Sequence, residues 1–448
     1  MADHLDAIRV LLSSGPRDSP WLQARSGLSQ PTVSRALAAL GEDAIRIGAG
    51  RSTRYALRDA GRGVDELPVY LVDDTGRLHG LGTLVPVRPE GFVMRHADGR
   101  TTHSEGLPWW LADMRPQGYL GRAYAARFAD TLGLPVNLSE WTDAHALRAL
   151  VAHGQDRVGN LLLGDAARER FLATPVHEPI ALADKAVVFA ERARQAGSGD
   201  SPGTSAGGEQ PKFTACVAAP EGPCHVLVKF TVPADHTIAE RWRDLLLSEH
   251  LALTTLREAG VDAARTEVLD HGGQRFLEVE RFDRVGEHGR RALLSLASLD
   301  DEFVGQRTAP WPVVVQALAR AGQVREDAVR GAALLHAFGT LIGNTDMHAG
   351  NLSFIAEAGR PCALAPAYDM LPMGFAPTPG GALRDTLGMP QLASSVPPSI
   401  WRQALDLARG YGERLARSGG LSPRFTPCLH ALEWRQAEAA ERIARLAA

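Results

Sequence analysis

The chain has 448 residues, 45% of them hydrophobic and 22% charged, with a formal net charge of −4. These values are ordinary for a globular protein and exclude a disordered, collagenous or coiled-coil chain. Four scattered cysteines (Cys216, Cys224, Cys362, Cys428) exclude a disulfide scaffold and a Cys-rich zinc site, and no uninterrupted apolar run of about 18 residues exists to cross a membrane.

The length predicts two to four domains, at about 100–200 residues each. The N-terminus opens acidic and polar, without a basic and then apolar signal pattern, so a cytoplasmic location with no membrane partner is expected. A helical period runs through Leu5, Ile8, Leu11 and Leu12 and stops at Ser14-Gly15-Pro16. A short second helix fits Ser19 to Arg25, with Gly27 at the turn. A third starts at Ser29 and points Val33, Leu37 and Leu40 inward. Ala44–Ile47 and Thr53–Leu57 read as two strands around Gly48–Arg51. Three helices and a hairpin predict a winged helix-turn-helix over residues 1–64.

Residues 66–180 read as an α+β segment, with strands at 69–72 and 79–87 and a largely apolar helix from Asp143 to Gly164. Residues 196–208, AGSGDSPGTSAGG, have the composition of a flexible loop. A hairpin (Lys212–Ala218, His225–Phe230), a helix (Ile238–Ala259) and a strand pair (Thr266–Asp270, Arg275–Arg281) complete a third segment, 181–290. The remainder, 291–448, is mainly helical. The fold class is therefore multidomain α+β.

Only three of the 48 basic residues are lysine: Lys185, Lys212 and Lys229. A compact ammonium does what a broad guanidinium cannot in a tight site, so these positions carry information. Lys229 lies in an alternating strand, HVLVKF, where kinases place the lysine that meets nucleotide phosphates. Glu249, on the following helix, is its candidate ion-pair partner. The segment LIGNTDMHAGNLSF holds Asp346 and Asn351 at the D-x-x-x-x-N spacing of a kinase catalytic loop. There an Asp accepts or orients a substrate hydroxyl, and an Asn oxygen reaches a magnesium ion. Leu352–Ile355 and Ala363–Ala365 read as a hairpin that returns Asp369 to the same place as a second magnesium ligand. Gly207, Gly208, Glu209, Gln210 and Lys212 supply a loop that could cover phosphates, though it is neither a Walker A nor a G-x-G-x-x-G sequence. LEVERF, 277–282, fits a connector that reads an adenine edge.

Each signal alone has a plainer reading: a polar loop, a turn Asp, a solvated strand lysine, a linker. His348 reads most simply as a structural hydrogen bonder. The joint order carries the argument, because loop, strand Lys, helix, connector, D-x-x-x-x-N, hairpin and Asp follow one another as in a bilobal kinase.

With these residues in view, the chain resembles the HipA-like toxin kinases, bacterial serine/threonine kinases of type II toxin–antitoxin systems. The resemblance covers about residues 68–440 and rests on SAGGEQPK (205–212), LVKF (227–230), VERFDR (279–284), GNTDMHAGN (343–351) and PAYDM (366–370). It implies a HipA-like bilobal kinase fold with a mainly helical C-lobe, and ATP with Mg2+ as cofactors. By the resemblance, Asp346 is catalytic, Asn351 and Asp369 hold Mg2+, and Lys229 contacts phosphates. Glu280, Arg281, Phe282, His348 and Tyr368 join the ATP-binding set. Ser205 is the implied autophosphorylation site, with Thr204 and Ser201 close by. Substrates in the family are aminoacyl-tRNA synthetases, so a synthetase substrate and growth arrest are implied. The sequence departs from the family at Gly350, where a basic residue is common, and in carrying its helix-turn-helix module fused at the N-terminus.

That module has nine Arg against six acids over residues 1–64, whereas the whole chain is net acidic. Such asymmetry suits phosphate binding. Gln30, Thr32, Ser34 and Arg35 on the third helix are candidates for DNA base edges, and Arg51 and Arg54 on the wing for the backbone or minor groove. A protein-docking use of the same module is the alternative. For the whole chain, the alternatives are a ligand-sensing regulator with an inactive kinase-like domain and a small-molecule phosphotransferase. The sequence leaves room for a homodimer.

Overall fold

The computed structural model describes residues 2–50, 53–63, 66–174, 178–197, 210–356 and 359–446. The chain divides into two compact units, one built from residues 1–73, 77–116 and 130–175, the other from 176–448 with 74–76 and 117–129. Among the described residues no helix is long and apolar enough to cross a membrane. All four cysteines are free thiols.

The first unit begins with α1 (Ala2–Leu12), β1 (Arg17–Asp18), α2 (Ser19–Ser26), α3 (Gln30–Leu40), β2 (Ala44–Ile47) and β3 (Arg54–Leu57). Asp18 caps α2 by accepting from Trp21 N–H at 2.9 Å, and Gly27 ends it at φ 70°, a conformation open to glycine. The period seen in α1 and α3 buries Ile8, Leu12, Val33, Leu37 and Leu40 in one core. The three strands form an antiparallel sheet ordered β1-β3-β2.

β4 (Leu67–Val72), β5 (Leu78–Val87), β6 (Gly91–His96), β7 (Thr101–Ser104) and β8 (Leu161–Leu163) form a second sheet, ordered β7-β6-β5-β4-β8. Both faces are dry where the end of β5 meets the start of β6. Leu84, Phe92 and Met94 pack on Leu111, Met114, Leu147 and Leu150. Val85, Val87 and Val93 pack on Ile45, Ile47 and Ala56 of β2 and β3. Burial on both faces explains why LGTLVPV shows no alternation of polar residues near its end. Arg62 fastens the junction by donating to Val87 O at 2.8 Å, Pro89 O at 3.0 Å and Gly91 O at 3.1 Å.

α4 (Gly118–Leu132) and α5 (Asp143–His153) follow β7 in the chain. The continuous helix expected over 143–164 is not formed. α5 stops at His153, Gly159 takes φ 79°, and Leu161–Leu163 pairs with β4 as edge strand β8. Three consecutive leucines carry no period that separates strand from helix. α6 (Gly164–Ala173) ends the unit's regular structure.

The second unit takes in most of α4 and continues from α7 (Lys185–Gly197) through β9 (Lys212–Ala219), β10 (Gly222–Phe230), α8 (Thr237–Glu258), β11 (Thr266–His271) and β12 (Gln274–Glu280). The strands make an antiparallel sheet ordered β11-β12-β10-β9. Period two along β10 sends Val226, Val228 and Phe230 into a core with Phe189 of α7, Phe213 and Phe276. Lys229 faces the opposite side, with its cross-strand partner Leu277, which packs with Leu246 of α8. That alternation aims Lys229 at α8.

β13 (Arg284–Val285) and β14 (Gly289–Arg290) form a small hairpin. β15 (Leu293–Ser295), α9 (Leu296–Phe303), α10 (Trp311–Arg320), α11 (Glu326–Ile342), β16 (Ser353–Ile355), β17 (Ala363–Leu364), α12 (Pro398–Arg417) and α13 (Thr426–Leu446) complete the chain. The expected hairpin is β16–β17, extended by β15 on its other edge. α11 is the hub of the helical part. Its apolar residues Leu334, Leu335, Phe338, Leu341 and Ile342 are buried, and it delivers the chain into the D-x-x-x-x-N loop.

Candidate active site

Lys229 is 5% exposed, and its ammonium donates to Glu249 Oε1 and Oε2 at 2.7 Å each and to Asp369 Oδ1 at 2.5 Å. A buried ammonium survives only with such partners. Burial alone would lower the Lys229 pKa, but the Asp369 and Glu249 carboxylates more than reverse this and hold it above the usual lysine value. Burial pushes the Asp369 carboxyl upward, yet Lys229 and then Lys212 outweigh it and leave the pKa below the ordinary carboxylate range. Glu249, 1% exposed, is raised by burial despite Lys229. The ammonium is therefore fixed, and Asp369 is the ionised partner nearer solvent.

Asp369 has φ 53°, the one positive φ outside glycine among the described residues. Such a backbone persists where neighbours over-determine it. Ala264 N–H donates to Ala367 O and Ala367 N–H to Asp262 O, both at 2.9 Å, and Asn344 Nδ2 donates to Asp369 O at 3.2 Å.

The loop after α11 is fixed with comparable care. Gly343 caps the helix at φ 79°, where Cβ of any other residue would stand 2.7 Å from Leu387 Cδ1. Asp346 is exposed, and its N–H donates to Asn344 Oδ1 at 3.0 Å. Asn351 Nδ2 donates to Asp346 O at 2.8 Å, Trp311 Nε1 to His348 O at 3.2 Å, and Tyr368 OH to Gly350 O at 2.7 Å. Alternate carbonyls of residues 346–350 are thus held by three different side chains. His348 Nδ1 accepts from Gly350 N–H at 3.0 Å.

Asp369 and Asn351 offer a carboxylate and an amide oxygen, the hard donors that suit magnesium. One or two such ligands suffice where substrate phosphates supply the rest. The donation from Asn351 Nδ2 to Asp346 O commits its amino group and leaves Oδ1 as the donor for a cation.

The connector begins where β12 ends. Glu280 N–H donates to Arg265 O and Arg281 N–H to His225 O, both at 2.9 Å, so neither is available to an adenine edge. The Arg281 guanidinium pairs with Asp283 at 3.0 Å. The Phe282 ring lies 5.8 Å from that of Tyr368, linking the connector to the residue before Asp369. Lys212 opposes Lys229 across the β9–β10 pair, and Gln210 Nε2 donates to Phe230 O. Ser205, Gly207, Gly208 and Glu209 lie outside the described residues, as does Arg51.

In the first unit, Gln30, Ser34 and Arg35 are exposed on α3, Thr32 is half-buried with its hydroxyl 2.9 Å from Ser29 Oγ, and Arg54 is exposed on β3.

Sequence reasoning missed three contributors. Lys185, noted only for its rarity, is a buried anchor whose Nζ lies 2.7 Å from both Glu267 and Glu278, joining α7 to the sheet. Asn344 and Trp311 reach the loop from outside the matched spacing. Their only sequence signal is proximity to it for Asn344, and none for Trp311.

A strand lysine paired with a helix glutamate, facing an Asp…Asn loop and a second Asp after a hairpin, is the core arrangement of a protein-kinase-like fold. Residues 204–444 match the HipA-like C-terminal domain family, and residues 63–172 match the middle domain of YjjJ-like toxins. The chain is 39% identical over 438 residues to Toxin YjjJ of Escherichia coli (strain K12), covering 97% of this chain and 98% of that one. It also resembles the solved HipA of Shewanella oneidensis MR-1, from a complex of HipA, HipB and operator DNA. That likeness has a TM-score of 0.51 at 16% identity and covers 85% of this chain and 97% of that chain. At that identity it concerns the fold. This chain belongs to the HipA-like toxin family, among its YjjJ-like members.

Proposed function

We propose that the chain is an ATP-dependent serine/threonine protein kinase whose activity arrests growth, with a fused DNA-binding module for autoregulation. The observation that carries this reading is the Lys229–Glu249–Asp369 cluster, an ion-paired ammonium in contact with the candidate metal carboxylate. A ligand-sensing fold with no transfer chemistry has no need to bury that charge beside an ordered Asp346–Asn351 loop.

In this reading Asp346 accepts the proton of a substrate hydroxyl as its oxygen takes the γ-phosphoryl group from ATP, leaving ADP. Lys229 meets the nucleotide phosphates, with Lys212 and Gln210 at the edge of the covering loop. Asn351 and Asp369 would hold Mg2+, which when bound would offset charge on the phosphate oxygens. Glu280 and Phe282 flank the adenine, with Tyr368 and His348 beside the nucleotide. The protein substrate is an aminoacyl-tRNA synthetase. Ser205 is the self-modification site, where a phosphate of about −2 charge would repel bound nucleotide.

Residues 1–64 serve as a winged helix-turn-helix. Exposed Gln30, Ser34 and Arg35, with Thr32, meet base edges of an operator, and Arg51 and Arg54 meet its backbone. The segments 66–180, 181–290 and 291–448 then act as the family's middle domain, N-lobe and C-lobe.

Phosphopeptide mass spectrometry after incubation with Mg·ATP, wild type beside Asp346→Asn, tests the reading. Phosphate on Ser205 in the wild type alone is the expected result. Equal phosphorylation of the two proteins would remove Asp346 from the chemistry.

A further inference from the structure

Asn344 is 5% exposed and uses both ends of its amide. Oδ1 accepts from Asp346 N–H at 3.0 Å, and Nδ2 donates to Asp369 O at 3.2 Å. The chemistry forces this orientation, because a backbone N–H only donates and a carbonyl only accepts. One side chain thus spans from the first residue of the D-x-x-x-x-N loop to the residue with the strained backbone, although the two lie on separate loops. Asn344 is itself tied to the end of α11, since its N–H donates to Gly339 O at 2.9 Å. Arg435 Nε and Nη2 in turn donate to Thr340 O of that last turn at 3.1 and 2.8 Å.

We propose that Asn344 is the positioning residue that registers Asp346 against Asp369, using the end of α11 as the fixed reference. This rests on the kinase reading above. Asn344 touches neither nucleotide nor substrate in that reading. It sets the separation between the proton acceptor and a metal ligand, a relation on which phosphoryl transfer depends steeply. A buried amide that merely filled space would be replaceable by leucine of similar volume. A bridge with one donor and one acceptor is not.

The two contacts can be removed selectively in the full chain. Asn344→Asp keeps an acceptor for Asp346 N–H and loses the donor to Asp369 O. Asn344→Leu loses both. Hydrogen exchange read by mass spectrometry should show faster exchange at 367–371 in both variants, and at Asp346 only in Asn344→Leu. Both variants should lower kcat at least about tenfold, with the KM for ATP within about threefold of wild type. The Mg2+ concentration for half-maximal rate should rise in Asn344→Asp.

Wild-type exchange at 367–371 together with wild-type kcat in Asn344→Asp would overturn the proposal. So would exchange that rises evenly across α11 and the sheet, which would mark a residue serving stability alone. If Asn344→Leu does not fold, Asn344→Asp still decides between these outcomes. A wild-type chain that transfers no phosphate would overturn the kinase reading instead, and the exchange pattern would still report the bridge without turnover.

Discussion

Lys229 and Asp369 stand 140 residues apart in the chain and 2.5 Å apart in the fold. Strand alternation supplies one partner and a backbone held at positive φ supplies the other, so neither contact is an accident of a mobile side chain. Glu249 completes the cluster from α8, where it is deeply buried.

Removing the cation alone strands a buried carboxylate. Lys229→Met should therefore destabilise the unit that holds it by about 3–5 kcal/mol, the usual consequence of breaking a buried pair from one side. Adding Glu249→Gln should recover much of that loss. Urea unfolding of the four members of this cycle checks it, and a double variant whose loss equals the sum of the two single losses would show that the two residues do not stabilise each other.

His336 gives the helical part an acid limit. Its imidazole packs against Trp311 with ring centroids 6.0 Å apart, and burial lowers its pKa from 6.5 to about 4. The folded state holds it neutral while the unfolded chain takes up a proton below pH 6.5. Stability should therefore fall as pH drops from 6.5 towards about 4 and level off below that, by about 3 kcal/mol in all. In His336→Phe that part of the pH dependence should vanish from thermal unfolding curves. An unchanged profile would assign the acid sensitivity elsewhere.

Gly343 faces two separate demands, a left-handed backbone and Leu387 Cδ1 only 2.7 Å from where a Cβ would be. Gly343→Ala should cost about 1–3 kcal/mol in stability and slow phosphoryl transfer. Combining it with Leu387→Ala should relieve the contact and leave the backbone strain. The difference between single and double variants, read as unfolding midpoints, separates the two effects.

If the N-terminal module binds an operator, its wing and recognition-helix arginines contribute differently. Arg54→Ala should weaken binding to every duplex and lower the slope of log K against log salt by about one, whereas Arg35→Ala should cost about 1–3 kcal/mol on the preferred sequence and relax specificity at one base position. Fluorescence anisotropy with labelled duplex across a salt series measures both. Affinities and slopes equal to wild type would turn the module towards protein docking.

Much of this site was legible in the sequence. Arginine fills nearly every basic position, so the rare Lys229 stands out, and its strand period aims it at the helix that carries Glu249. The Asp346–Asn351 spacing and the hairpin before Asp369 are local signals that survive without a partner in view. Asn344 was not legible, because its role depends on a carbonyl 25 residues away, and an asparagine beside a turn looks the same whether or not it bridges. Lys185 stands out by rarity alone, since its partners Glu267 and Glu278 lie on strands distant in sequence. β8 is not legible in the sequence, because the short run Leu161–Leu163 fits either period. Of the helix ends, Gly27 marks the close of α2 by residue type.

Val85, Val87 and Val93 line the floor of the N-terminal hairpin as well as one face of the five-stranded sheet. A hybrid in which another sequence replaced residues 1–64 would inherit a bare valine stripe on β5 and β6. Exchanging residues 1–64 between relatives therefore requires moving the helices together with the strands beneath them, and inheritance of the two as one block is the outcome this shared interior favours.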